Sequence, residues 1–129
     1  MRILIVDDNL GNKITWILQI LKERQIDYEI ISYLNGAYKK ILRSKEYDGI
    51  ILDMQFPILI DSEVKGNSGV ILLKKLKHRN IQIPVLGNST IRFPSSNEYP
   101  FLKGQLDGYE TIDGRNTLLK FLESIEEQS

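Results

Sequence analysis

Three aspartates stand where short aliphatic runs end. Ile3-Leu4-Ile5-Val6 runs into Asp7 and Asp8, and Gly49-Ile50-Ile51-Leu52 runs into Asp53. A further run, Pro84-Val85-Leu86-Gly87, ends in Asn88, Ser89 and Thr90. A continuous apolar run of this length suits a strand buried on both faces. Each polar group would then sit at a carboxyl end of a strand. Three carboxylates brought to one rim repel: two unit charges about 4 Å apart interact by about 4 kcal/mol at an effective dielectric near 20. Either one of them takes a proton or a cation neutralises them. Mg²⁺ suits such oxygen ligands and commonly uses one or two carboxylates with waters and a phosphate oxygen. A carboxylate exposed in that setting can itself attack phosphorus and form an acyl phosphate. Taken singly, each residue has a plainer role. Asp7, Asp8 or Asn9 would cap a helix, and Asp53 would be a turn residue. Only their joint placement favours the chemistry.

The elements that must position these residues are legible as alternating patterns. Ile14, Ile17, Leu18 and Leu21 have the spacing of one helix face. Tyr28–Ser32 reads as a second strand, residues 35–44 as a short helix, and Gly49–Asp53 as a third strand. Asn67 or Ser68 would cap a helix that buries Val70, Leu72, Leu73 and Leu76. Gln82–Gly87 reads as the fourth strand and Gly108–Ile112 as a weaker fifth. Asp113 would cap a last helix carrying Leu118, Phe121, Leu122 and Ile125. Strands alternating with helices imply a parallel sheet built from βαβ units with right-handed crossovers. The first, third and fourth strands are the most apolar and belong in the centre. The expected fold is therefore α/β and doubly wound, a flavodoxin-like five-stranded sheet in the order 2-1-3-4-5 with helices on both faces. Its ligand site lies between the first and third strands, where Asp7, Asp8 and Asp53 end. Residues 91–104 contain Pro94 and Pro100, so any helix before the fifth strand must be short, late or partly unwound. Residues 58–67 form an unusually long connection.

Composition narrows the function classes. The chain has 129 residues, a length that suits one domain over 1–129, with 42% hydrophobic residues to build a core. The absence of cysteine excludes a disulfide framework, a thiolate metal site and a cysteine nucleophile. Seventeen basic and seventeen acidic residues give no electrostatic argument for nucleic acid. No apolar run approaches the roughly 18–20 residues needed to cross a bilayer, and no signal-peptide pattern is present. The expectation is a small cytoplasmic domain without membrane insertion. Gly66-Asn67-Ser68-Gly69 lacks the ending of a phosphate loop and reads as a turn. His78 sits beside Lys75, Lys77 and Arg79, where it reads as an exposed helix-end residue. No Gly-x-Ser-x-Gly elbow supports a serine hydrolase. Trp16 falls outside the main stripe of the first helix and reads as peripheral packing with Ile20.

With these residues in view, the chain resembles the receiver domain of two-component response regulators (CheY-like) from Met1 to about Glu127. Ile3-Leu4-Ile5-Val6-Asp7-Asp8-Asn9 is similar to the family's opening strand and acidic pair. Leu52-Asp53-Met54-Gln55-Phe56-Pro57 is similar to its phospho-acceptor segment. Pro84–Thr90 is similar to its fourth strand, and Gly108-Tyr109 to its fifth strand with an aromatic switch residue. The resemblance implies that Asp53 accepts a phosphoryl group from a histidine kinase or phosphotransfer protein, with Mg²⁺ as cofactor. Asp8 would bind the metal directly, Asp7 mostly through water, and Gln55 through its backbone carbonyl. Ser89 would hydrogen-bond the phosphoryl group, and Tyr109 would change rotamer in response. Output would pass to a downstream protein by contact, so the protein would be a signalling module and not an enzyme.

The resemblance is incomplete. The family places a lysine three residues after the aromatic, where this chain has Ile112 followed by Asp113. Isoleucine supplies neither charge nor a hydrogen bond. Lys65, Arg92, Lys103 and Arg115 are the candidates for a cation from another direction. Phe93, Tyr99 and Phe101, in the proline-interrupted region, are candidates for partner contacts, but the expectation is that at least two of them cover the sheet. A phosphorylation-independent interaction module is therefore the alternative function. A metal-dependent phosphatase with Asp53 as nucleophile ranks lower, because Gln55 stands where such enzymes carry a proton donor.

Overall fold

The computed structural model of the chain describes residues 1–9, 11–44 and 46–128. Five parallel strands form one sheet: β1 (Arg2–Val6), β2 (Asp27–Ile31), β3 (Gly49–Leu52), β6 (Val85–Asn88) and β7 (Leu102–Leu106). Their order is β2-β1-β3-β6-β7, which is the expected 2-1-3-4-5 arrangement. Two short strands, β4 (Phe56–Pro57) and β5 (Val64–Lys65), pair antiparallel inside the long connection. The helices are α1 (Asn12–Glu23), α2 (Leu34–Ser44), α3 (Ser68–His78) and α4 (Ile112–Glu127).

Strand alternation sends neighbouring residues to opposite faces, so the aliphatic runs feed two cores at once. Leu4, Val6, Ile50, Leu52 and Val85 pack with Leu34 and Ile41 of α2 and with Leu72, Leu73 and Leu76 of α3. Ile3, Ile5, Ile51, Leu86 and Leu106 pack with Ile17 and Leu21 of α1 and with Leu118, Phe121, Leu122 and Ile125 of α4. Trp16 is only 5% exposed and belongs to this second core. It is not peripheral, because α4 closes over it.

The carboxyl end of the sheet departs from expectation in three places. The fifth strand is Leu102–Leu106, not Gly108–Ile112. Residues 108–112 look strand-like by composition, but Gly108 has φ +89°, a left-handed turn that ends the strand's run. Beyond it Tyr109 and Ile112 are 62% and 80% exposed. Leu102 and Leu106 anchor β7 inward despite the unpromising Lys-Gly-Gln between them. A register shift between Val85 and Leu86 lets β7 follow β6 around Lys103.

The last helix is capped by Thr111, not Asp113. The Thr111 hydroxyl accepts from the Gly114 N–H at 2.8 Å, which leaves Asp113 in the first turn where its charge suits the helix dipole. The third departure is the crossover from β6 to β7, which is irregular over residues 89–101, with no helix among its residues. Phe93, Tyr99 and Phe101 are each at most 6% exposed and cover the sheet where a helix would lie. Among the described residues no helix is long and apolar enough to cross a membrane.

Asn67 precedes α3 without a side-chain capping bond. Ser68, also considered as the cap, is the first helical residue. Its hydroxyl donates to the Phe56 and Lys65 carbonyls, which ties the β4–β5 hairpin to the helix start.

Candidate functional site

The site is built where β1, β3 and β6 end. The Asp7 N–H donates to Ile31 O at 3.2 Å, and the Asp53 N–H donates to Val6 O at 2.9 Å. These ladder bonds carry both aspartates one step past the strands, side by side. The carboxylates of Asp7, Asp8 and Asp53 offer oxygens that all lie within 4.8 Å of one another. Asp7 and Asp53 are buried and Asp8 is exposed. Asp7 accepts from the Asn9 N–H at 2.9 Å, and Asp53 accepts from the Met54 N–H at 2.8 Å.

Burial is the main cause that raises the Asp7 carboxyl from 3.8 to about 6, and the neighbouring Asp53 charge raises it further. The Asn9 N–H and the Lys13 ammonium act in the opposite direction. Asp8 is also raised, again first by burial and then by Asp53. The trio is therefore short of positive charge. An all-oxygen donor set of this size fits a hard divalent cation such as Mg²⁺.

One positive group already reaches the trio. The Lys13 ammonium, in the first turn of α1, hydrogen-bonds an Asp53 oxygen and lies 3.4 Å from Asp7 Oδ2. Sequence reasoning did not select Lys13. The candidates it did name are elsewhere: Lys65, Arg92 and Lys103 are exposed, and Arg115 pairs with Glu110 at 2.6 Å. A signal for Lys13 was present. A cation in the first turn of a helix opposes the helix dipole, and α1 has no acidic residue there to offset it. Local conflicts of this kind tend to mark sites.

Ser89 and Gln55 line the same open cleft of about 850 Å³ with Asp8, Lys13, Asp53 and Tyr109. Ser89 follows β6, with its N–H bonded to Leu106 O at 3.0 Å and its hydroxyl accepting from the Ile91 N–H at 3.0 Å. Tyr109 faces the cleft from the loop after β7 and not from a strand, so the expected strand placement of this aromatic is corrected. Gln105 is a second residue that the sequence reading missed. Its amide donates to Ser89 O at 2.8 Å and Ile91 O at 2.7 Å, and its oxygen accepts from the Phe93 N–H at 2.8 Å. It clamps the helix-less crossover beside Ser89. Gln105→Ala is expected to cost about 1–3 kcal/mol, from three lost bonds partly replaced by water. Urea melts would measure the loss, and faster exchange of the Phe93 amide, whose N–H Gln105 accepts, would locate it.

This fold is shared with solved structures. Three solved structures superpose over nearly the whole chain. The receiver domain of the Francisella response regulator 1452 is 24% identical with a TM-score of 0.65, covering 99% of this chain and 98% of its own. Chemotaxis response regulator CheY4 of Vibrio cholerae is 20% identical with a TM-score of 0.64, covering 96% and 97%. The N-terminal domain of a response regulator/sensory box/GGDEF three-domain protein from Carboxydothermus hydrogenoformans is 20% identical with a TM-score of 0.70, covering 99% and 98%. The chain has the CheY-like receiver fold. Among curated proteins it is similar to y4jS of Sinorhizobium fredii, 37% identical over 87 residues that cover 65% of this chain. The chain spans about one fifth of the length of that relative, 21%. No family model matches the sequence.

Proposed function

We propose that the chain is a response regulator receiver that takes a phosphoryl group on Asp53, with Mg²⁺ as cofactor, and signals through protein contacts. The observation that carries this reading is the convergence of Asp7, Asp8 and Asp53 within 4.8 Å at the switch point of a CheY-like sheet. In the proposed step an Asp53 carboxylate oxygen attacks phosphorus of a phosphohistidine on a histidine kinase or phosphotransfer protein. A P–O bond forms and the P–N bond breaks. Its electron pair goes to the imidazole nitrogen, which takes a proton from solvent. Asp8, Asp7, Asp53 and the Gln55 carbonyl would hold the metal, which supplies charge neutralisation at phosphorus. Ser89, which lines the same cleft, would donate its hydroxyl to a phosphoryl oxygen. Tyr109, exposed in the loop after β7, would change rotamer in response. The protein would work in the cytoplasm as a signalling module, and its downstream partner would be another protein.

Intact mass after incubation with acetyl phosphate and Mg²⁺ tests the reading. One labile phosphoryl adduct is expected, absent in Asp53→Asn and in chelator. No adduct under conditions that label an ordinary receiver would overturn it. A second reading, a phosphorylation-independent interaction module, draws on the missing helix between β6 and β7 and would then take its place.

A further inference from the structure

We propose that Lys13 is the resident cation of this site, supplied from α1, and that it pairs with the phosphoryl group on Asp53; the inference rests on the receiver reading above. The residue directly after β7 is Asp107, and the one three places beyond Tyr109 is Ile112, so neither position offers a positive charge. Lys13 does offer one, and it is already in contact with the acceptor carboxylate and within 3.4 Å of Asp7. Its side chain is 19% exposed, so the ammonium is held at the cleft wall and does not wave in solvent.

Charge counting assigns it two successive roles. Three carboxylates and one ammonium leave a formal charge of minus two, which one divalent cation cancels. In the metal-free protein Lys13 is thus the counter-ion that keeps Asp7 and Asp53 together, and it competes with the metal for their oxygens. Phosphorylation replaces the single charge of Asp53 by nearly two on the phosphoryl oxygens. Lys13 then remains beside the added charge, and only its ammonium must turn from carboxylate to phosphoryl oxygen. The main chain holds its base in place. The Lys13 carbonyl accepts from Asn88 Nδ2 at 3.5 Å, which links the start of α1 to the end of β6, one residue before Ser89. Asn88 is 1% exposed and its Oδ1 has no hydrogen-bond partner among the described residues, so this link sits against the site with bonding capacity to spare. A signal arriving as phosphoryl would therefore be felt first by α1.

The test compares four proteins for folding by circular dichroism, for Mg²⁺ affinity by calorimetry, and for labelling by acetyl phosphate. They are the wild type, Lys13→Met, Lys13→Arg, and Lys13→Met combined with Asp107→Lys. Lys13→Met is expected to bind Mg²⁺ about tenfold more tightly, because a competing charge is gone, and to label about tenfold more slowly. Lys13→Arg should stay near wild type, and the relocated lysine at position 107 should restore labelling in part. Unchanged Mg²⁺ affinity and labelling in Lys13→Met would overturn the inference and leave the receiver reading standing. Slow labelling that neither charge-bearing variant restores would assign the loss to packing and also overturn it. Absence of an adduct on the wild type would overturn the receiver reading, and this inference with it.

Discussion

Asp7→Asn is expected to stabilise the metal-free protein by about 1–3 kcal/mol at about pH 7.5, and by about a third as much at about pH 4.5. Asp7 is 1% exposed and its carboxyl is raised from 3.8 to about 6, chiefly by burial. The sign follows from linkage. Between those two values the folded state holds a proton that the unfolded state has released. The stabilising contribution of neutral Asp7 is fully present below about pH 4 and is lost as pH rises through about 6. Asparagine keeps the neutral form at every pH, so the variant escapes that loss. It keeps an acceptor for the Asn9 N–H, which is bonded to Asp7 at 2.9 Å. Mg²⁺ should reverse the order. The wild type gains stability by mass action on binding the cation, and the variant, with one ligand neutralised, gains much less. Urea melts at the two pH values, with and without Mg²⁺, measure all four quantities. A variant less stable at both pH values would mean that the contacts of the ionised carboxylate with Asn9 and Lys13 outweigh its burial.

Gly69→Ala is expected to destabilise the protein by about 2–4 kcal/mol and to slow phosphoryl labelling of Asp53. Helix propensity alone predicts the opposite, a gain of about 0.5–1 kcal/mol for alanine over glycine. Gly69 lies in the first turn of α3, and its N–H donates to Met54 O at 2.9 Å. A methyl there would sit 2.5 Å from the Asp53 carbonyl oxygen, 3.1 Å from Met54 Cα and 3.2 Å from the Phe93 ring. Two of those neighbours are backbone of the acceptor segment, which cannot swing aside as a side chain does. Either α3 withdraws or the Asp53–Met54 backbone shifts. The second response moves the acceptor carboxylate relative to Asp7 and Asp8, which is why labelling should fall along with stability. A stabilised variant with normal labelling would show that α3 slides without strain.

The two predictions touch different kinds of information. Asp7, Asp8 and Asp53 were legible because a four-residue aliphatic run that ends in a carboxylate is a local pattern, and local pattern decides a central parallel strand. The same is true of the sheet order, since the most apolar strands must be central, and of the aromatics Phe93, Tyr99 and Phe101, whose proline-broken surroundings leave them to cover the sheet. The edge strand was not legible. Leu102–Leu106 is held by pairing with β6 through a register shift, and its central Lys-Gly-Gln carries little strand character of its own. Gly-Tyr-Glu-Thr-Ile at 108–112 has the better composition, but a turn at Gly108 takes it off the sheet.

The acidic rim and the fold around it thus follow from the order of residues along the chain. The cation at that rim does not. Lys13 and Asp53 are 40 residues apart in sequence, and no spacing rule relates the lysine to the acceptor. They meet only because α1, packed on one face of the sheet, begins at the carboxyl ends of β1 and β3. A strand's apolar run is decided by its own side chains, whereas the neutralisation of a charge is decided by whatever chain the completed fold brings within a few ångströms of it.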